Sequence, residues 1–327
     1  MKILGVAYDK GPKNSLSPFL NDKDFIILLD YRIESIDQSK KIIEKYKPDV
    51  ILIGTSTSEN GIIIEKFFRI SAIQMNIPLV CVEDYPGNYL SHEEANPDLL
   101  FVESESVIKM LKTKFRKLSP KVLTGANIRY AKYKKFSQKN DIFFVNNRAS
   151  DILWIGQPDT YYCKKVLMRI LPELRKLNAR LLFKAHPDDE GYCNSEYRTI
   201  LLNKNYKIND ITSLTFEECL KFEPRLVITQ YSSLAIEASF NQIPTIHLLY
   251  DDISSILIKT KGYDVPFYVK SGGSLVINSI KNQHILIEKI YNNHIFRSKI
   301  IDNFFKYFND LENIEEDFKS KIFNLIK

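Results

Sequence analysis

Short apolar runs recur through the first half of the chain, at residues 3–7, 25–30, 50–54, 79–82 and 99–102. They are brief, rich in Ile, Leu and Val, and do not alternate with polar positions, which is the pattern of strands buried on both faces. Between them lie segments of helical period at 39–46, 61–75 and 106–115, and a short one at 18–20 behind Ser17 as a cap. Strand, helix, strand in sequence predicts parallel pairing through right-handed crossovers, because no tight turn joins parallel strands. A final strand of this half is expected at 122–125, and the polar, Lys-rich stretch 131–147 reads as a linker. The alternation then restarts with strands at 152–155, 180–184, 226–228 and 245–249 and helices at 164–177, 216–222 and 234–241. From 278 to the end the period is helical, with Phe296, Phe304, Phe305, Tyr307 and Phe308 on a packing face.

A length of 327 residues suits two domains of about 150 residues each. Hydrophobic residues at 44% and charged residues at 26% are ordinary for a folded chain and exclude wholesale disorder. The formal net charge of +6 favours anionic ligands, but the basic residues of 109–121 and 129–139 are interleaved as on a solvated helix face, and no nucleic-acid motif accompanies them. Cys81, Cys163, Cys193 and Cys219 lack zinc or disulfide spacing, and no apolar run approaches the ~18 residues of a membrane span, so a cytoplasmic location is expected.

In open parallel sheets ligands sit beyond the carboxyl ends of the strands, so chemistry is sought there. Three strand ends of the second half stand out: Gly156-Gln157-Pro158, His186-Pro187 and Gln230-Tyr231-Ser232-Ser233. Ser232 and Ser233 precede a helix, where hydroxyls, free N–H groups and the helix dipole favour an anion, although one Ser would suffice as an ordinary N-cap. His186, held extended by Pro187, projects from its strand end, where it could stabilise a phosphate or serve as a turn residue. Gly156 allows close approach and Gln157 offers a hydrogen bond. Glu218 has capping-box spacing from Thr215, which leaves Glu217 to accept from ribose hydroxyls or to compensate the dipole.

His186-Pro187 and Ser232-Ser233 resemble the HP and Ser-Ser motifs of bacterial GT-B sialyltransferases and capsule polymerases. The run from Thr229 to Ala238, TQYSSLAIEA, is also similar to segments of capsule Kdo transferases and CDP-glycerol glycerophosphotransferases. The resemblance covers about 100 residues, 152–249, and implies an α/β fold with two Rossmann-like domains facing across a cleft. It assigns 1–135 to an acceptor-side domain, 148–295 to a nucleotide-sugar-binding domain, and 296–327 to helices packing back on the first. His186, Pro187, Ser232 and Ser233 would then hold the donor phosphate, with Gly156 and Gln157 beside it and Glu217 at the ribose. That family carries an acidic motif in its first domain, whereas here Asp189-Glu190-Gly191 follows His186-Pro187, so no base is assigned through it.

Attack by an acceptor hydroxyl needs a base. First-half candidates at strand ends are Asp9, Asp30, Glu59 and the pair Glu83-Asp84, with Glu59 and Asp84 placed first alongside His186 as catalytic residues. The leading expectation is an inverting, metal-independent glycosyltransferase that moves a nonulosonic acid from its CMP form to a capsule, lipopolysaccharide or glycoprotein acceptor, without a separate cofactor. A lipid-linked acceptor would bring it to the inner membrane face. A UDP-sugar 2-epimerase or nucleotide-sugar hydrolase, and an inactive nucleotide-sugar-binding partner subunit, stand as alternatives.

Overall fold

The computed structural model describes residues 1–89, 95–115, 119–134, 149–309 and 311–326. The linker expected at 131–147 falls outside the described residues from 135 onward. The chain forms two compact units: Met1–Lys135 with Thr260–Tyr263 and Asp310–Lys327, and Phe136–Lys259 with Asp264–Asn309.

The first unit is built on β1 (Ile3–Ala7), β2 (Phe25–Leu29), β3 (Val50–Ile53), β4 (Leu79–Val82), β5 (Leu99–Val102) and β6 (Lys121–Thr124). They pair in parallel in the order β2-β1-β3-β4-β5-β6. β1, β3, β4 and β5 are buried at every position, which is why their sequences do not alternate. Two crossover helices start where the sequence offers a capping hydroxyl: Ser35 accepts from Gln38 N ahead of Ile36–Tyr46, and Ser58 from Gly61 N ahead of Glu59–Gln74. One helix departs from expectation. Lys10–Leu16 is α-helical although it contains Gly11 and Pro12, and only Ser17–Phe19 forms the short turn read from the sequence. Pro12 lies in the first helical turn, where its missing N–H interrupts no intrahelical bond.

The second unit is built on β7 (Ile152–Ile155), β8 (Leu181–Lys184), β9 (Ile208–Asp210), β10 (Leu226–Thr229), β11 (Thr245–Leu248) and β12 (Leu275–Ile277). These strands are also all parallel, in the order β12-β11-β10-β7-β8-β9. β9 and β12, the two edges, were not anticipated: each has three residues, too few to carry a hydrophobic pattern. The helix Asp251–Lys261 was not anticipated either.

The terminal helices divide between the units, which corrects the expectation that 296–327 packs as one block on the first. His294–Tyr307 belongs to the second unit, where Phe304 meets Phe240 edge-on with ring centres 4.8 Å apart and contacts Tyr268 and Phe308. Ile314–Ile326 belongs to the first, its Phe318 ring lying 5.4 Å from Phe19 and 4.3 Å from Phe101. Each aromatic surface thus finds its own core. Among the described residues no helix is long and apolar enough to cross a membrane.

Because Phe304 is fully buried and joins the helix Leu234–Phe240 to the helix His294–Tyr307, Phe304→Ala should destabilise the second unit by about 3–5 kcal/mol. Urea unfolding should show its transition shifted to lower denaturant while that of the first unit stays in place.

Candidate functional site

Strand order places a topological switch point in each sheet. In the first unit β1 lies between β2 and β3, and in the second β7 lies between β8 and β10, so the loops leaving these central strands part to opposite sides. The gap so opened at the carboxyl edge is where such sheets take ligands. The sequence-predicted residues collect at both edges.

In the second unit the switch point is flanked by Gly156-Gln157 after β7 and Gln230 to Ser233 after β10, with His186 after the neighbouring β8. Gly156 lies close against the end of β8: a Cβ there would stand 3.2 Å from the backbone nitrogen of His186, a tight contact. The Asp188 N–H donates to His186 Nδ1 at 3.1 Å, so the neutral ring carries its proton on Nε2, the tautomer suited to donate to a phosphate oxygen. The imidazole is about a third exposed and Pro187 is exposed.

Ser232 and Ser233 are half-buried, and only Ser232 serves the helix start as the sequence allowed. Ser232 Oγ accepts from Leu234 N–H at 3.3 Å, and the Ser233 side chain makes no capping bond. The helix that follows, Leu234–Phe240, has seven residues, so a dipole of two turns contributes less than the hydroxyls themselves. One further expectation is corrected. Gln157 is 4% exposed and its amide donates to Gly156 O at 2.9 Å and weakly to Thr229 Oγ1 at 3.5 Å, so it shapes the strand end instead of facing a ligand. Asp189, within the acidic motif, is buried and accepts from Thr160 Oγ1, Tyr192 N and Tyr197 Oη, a structural hub. Glu217 is exposed beside Glu218, which completes the capping box with Thr215.

Sequence reading missed the support beneath β10. His247 is wholly buried, its Nδ1 2.8 Å from Gln230 O and its Nε2 2.6 Å from Tyr268 Oη. Burial pulls its pKa down to about 4, so the ring is neutral, with Nδ1–H donating to Gln230 O and Tyr268 O–H donating to Nε2. Gln230 Oε1 accepts from Cys163 Sγ, while its buried Nε2 has no partner among the described residues.

In the first unit the carboxyl edge is acidic and dense. Thr55 donates to Asp84 Oδ1 at 2.5 Å and its Oγ1 accepts from Asp84 N at 3.0 Å, so the loops after β3 and β4 are clamped together. Asn88 donates to the same oxygen at 3.0 Å. Asp84 Oδ2 lies against Gly11, where any Cβ would collide with it at 1.9 Å. Arg129 donates to Asp84 O, and Lys261 donates to Asn88 Oδ1. The Lys261 pKa is lowered by burial, against the pull of Asp84 and Glu83.

Asp9 binds the Thr57 and Ser58 N–H groups at 2.7 and 2.8 Å. Glu65 accepts from Ser56 N and Oγ at 3.0 and 2.6 Å. Glu83 is 2% exposed; its Oε1 accepts from Gly87 N and Tyr89 N, while Oε2 has no partner among the described residues. Burial raises Glu65 to about 7 and Glu83 to about 8. Of the two favoured acids, Asp84 is therefore at the centre of the cluster. Glu59 is exposed in the first turn of its helix and joins the cluster through no described contact; Asp30 is exposed and paired with Lys13.

One signal for this network was present in the sequence. Glu65 and Arg69 stand four residues apart among the apolar positions of the helix Glu59–Gln74, and both are buried. Lys261 had none, since it reaches the first unit only by tertiary folding.

No family model and no curated protein matches the chain in sequence. Solved structures do match in fold. UDP-GlcNAc 2-epimerase of Methanocaldococcus jannaschii, in complex with UDP-GlcNAc and UDP, is 16% identical with a TM-score of 0.59, over 90% of this chain and 93% of the other. Staphylococcus aureus MnaA with UDP is 14% identical at a TM-score of 0.63, over 93% and 91%. The spinosyn rhamnosyltransferase SpnG is 12% identical at 0.54, over 95% and 97%. The chain has the GT-B fold, two Rossmann-like α/β units in succession.

A carboxyl whose folded pKa is raised contributes stability that is full below its unfolded value, 4.5 for Glu83, and is lost as pH rises through about 8. Glu83→Gln mimics the protonated side chain and keeps its acceptor for Gly87 and Tyr89. The variant should lose a few kcal/mol less than the parent between pH 5 and pH 8 in first-unit urea unfolding. Parallel pH curves for the two proteins would show that Glu83 is not buried with a raised pKa.

Proposed function

We propose that the chain is an enzyme acting on a nucleoside-diphosphate sugar, and that its reaction is the 2-epimerisation of a UDP-N-acetylhexosamine. The observation that carries this is the Asp84 cluster at the carboxyl edge of the first sheet. A half-buried carboxylate is oriented there by Thr55 and Asn88, next to the buried Glu83, which titrates near neutrality. Inversion at C2 requires the C2 proton to leave one face as the C1–O bond to the diphosphate breaks and the electron pair forms a C1–C2 double bond. A proton then arrives on the opposite face as the diphosphate re-adds at C1, and acids tuned to the working pH can perform both transfers. The second unit supplies the other requirement. Ser232, Ser233 and the Nε2–H of His186 can bind the diphosphate and stabilise negative charge growing on it. The likeness to proteins described as UDP-GlcNAc 2-epimerases supports this direction.

The same likenesses lend nothing to the nonulosonic acid reading, so UDP takes the place of CMP as the first ligand to test. Transfer to an acceptor hydroxyl is kept as a second reading because the fold is shared with a rhamnosyltransferase and a single base such as Asp84 would serve it.

Titration with UDP should show saturable binding that Ser232→Ala/Ser233→Ala weakens about tenfold or more, two hydrogen bonds to a charged phosphate being lost. UDP-GlcNAc incubated alone in D2O should yield its C2 epimer with deuterium at C2, and Asp84→Asn should slow this about 10²–10⁴-fold. Recovery of unlabelled UDP-GlcNAc with no epimer, despite tight UDP binding, would sink the epimerase reading and leave the transferase one. Indifference of UDP to the serines would remove the nucleotide site itself.

A further inference from the structure

Beside the acidic edge of the first unit, Lys261 stands in the segment Thr260–Tyr263, which belongs to that unit although the residues flanking it in the chain do not. Its ammonium donates to Asn88 Oδ1, and the Asn88 amide donates in turn to Asp84 Oδ1 at 3.0 Å. An ammonium has three donors and no acceptor, whereas a primary amide has both. Lys261 therefore settles which end of the Asn88 amide faces which way: the oxygen turns to the lysine, and the NH2 group is left on Asp84. Without that donor the amide could rotate by half a turn and set its oxygen against a carboxylate oxygen, a repulsive pairing.

The backbone reinforces this arrangement. Gly87 has φ +85°, and a Cβ there would stand 2.2 Å from Lys261 O and 2.8 Å from its Cα, so the turn before Asn88 closes directly on the main chain of the lysine. Lys114 donates to Gly87 O at 3.2 Å on the same turn, and Lys261 Nζ lies 6.0 Å from the centre of the Tyr85 ring. The Lys261 ammonium is half-buried, and the charges of Asp84 and Glu83 favour its protonated form against burial and against Lys114.

We propose that Lys261 is a positioning residue of the first-unit site: through Asn88 it holds a donor on Asp84 Oδ1 and so fixes the orientation in which this carboxylate meets a ligand. Oδ1 then carries the hydroxyl of Thr55 and the amide of Asn88, and a proton is exchanged at Oδ2, the oxygen beside Gly11. The consequence for turnover rests on the reading of Asp84 as a proton-transferring group, whereas the orientation of Asn88 does not.

Nuclear magnetic resonance of the full-length protein reads that orientation without turnover. The Asn88 side-chain NH2 pair, identified by its loss in Asn88→Ala, is expected to shift in Asp84→Asn, which removes the charged acceptor. It should shift also in Lys261→Met, which removes the donor and keeps the chain length, and stay near its parent position in Lys261→Arg. In turnover of UDP-GlcNAc, Lys261→Met should lower kcat about 10- to 100-fold, the range of one hydrogen bond to a charged group, with KM within about twofold. Lys261→Arg should restore most of the rate, and Lys261→Met/Asn88→Ala should be no slower than the slower single variant, since both act through one relay. Circular dichroism checks folding, and Lys261→Gln, whose amide can accept as well as donate, stands in where Lys261→Met does not fold. An Asn88 pair unmoved by loss of the lysine overturns the proposal, as do losses in kcat that multiply in the double variant. If the parent protein does not turn over UDP-GlcNAc, the epimerase reading fails, while the NH2 pair still decides whether Lys261 orients Asn88.

Discussion

A strand that runs parallel to its neighbour must be reached by a crossover that returns the chain to the starting edge, and both sheets of this protein are parallel throughout. Each connection therefore covers a face of the sheet with a helix and delivers the next loop to the same carboxyl edge. Where the winding reverses, beside β1 and beside β7, the loops diverge and backbone groups are left without a covering layer. Asp9 with Thr57 and Ser58, and Gly156 with His186 and Gln230, stand at these two reversals. Thus chemistry is possible there for reasons of connectivity, before any side chain is specified.

The two edges meet the resulting polar demand in opposite ways. The second unit uses hydroxyls and the imidazole of His186, and beneath them the buried neutral His247 that supports the strand end. The first gathers carboxyls whose burial opposes ionisation, so that Glu65 and Glu83 keep protons near neutral pH. Ionised groups as buried as these would cost several kcal/mol without partners. The network meets that demand with hydrogen bonds from Ser56, Gly87 and Tyr89 and with the buried Arg69 close by.

Much of the frame was legible from residue order, and the misses have specific causes. Strands such as Val50–Ile53 and Leu226–Thr229 announced themselves because burial on both faces demands an unbroken apolar run. Ile208–Asp210 and Leu275–Ile277 did not, because an edge strand of three residues is held by its neighbour's backbone and needs no apolar pattern. Lys10–Leu16 was hidden by Gly11 and Pro12, two residues that break helices in the interior but not at the first turn. Asp84, His186, Ser232 and Ser233 stand at the carboxyl edges of the sheets, as their positions directly after strands imply. Gln157 and Glu59 met the same criterion, yet one turns into the core and the other toward solvent, and sequence position does not encode that direction.

By itself the sequence determined that the chain makes two successive parallel α/β units and which loops lie at their carboxyl edges, because period and burial are local properties of the chain. Tertiary structure alone decided which sides of those loops face inward. It also decided that the aromatic surface after residue 293 divides between two cores, that Lys261 joins the Asp84 cluster from a distant segment, and that Arg129 donates to the Asp84 backbone from the segment after β6. These are contacts between residues far apart in the chain. They depend on how whole elements pack, and on charge and burial summed over several of them, quantities that no window of sequence contains.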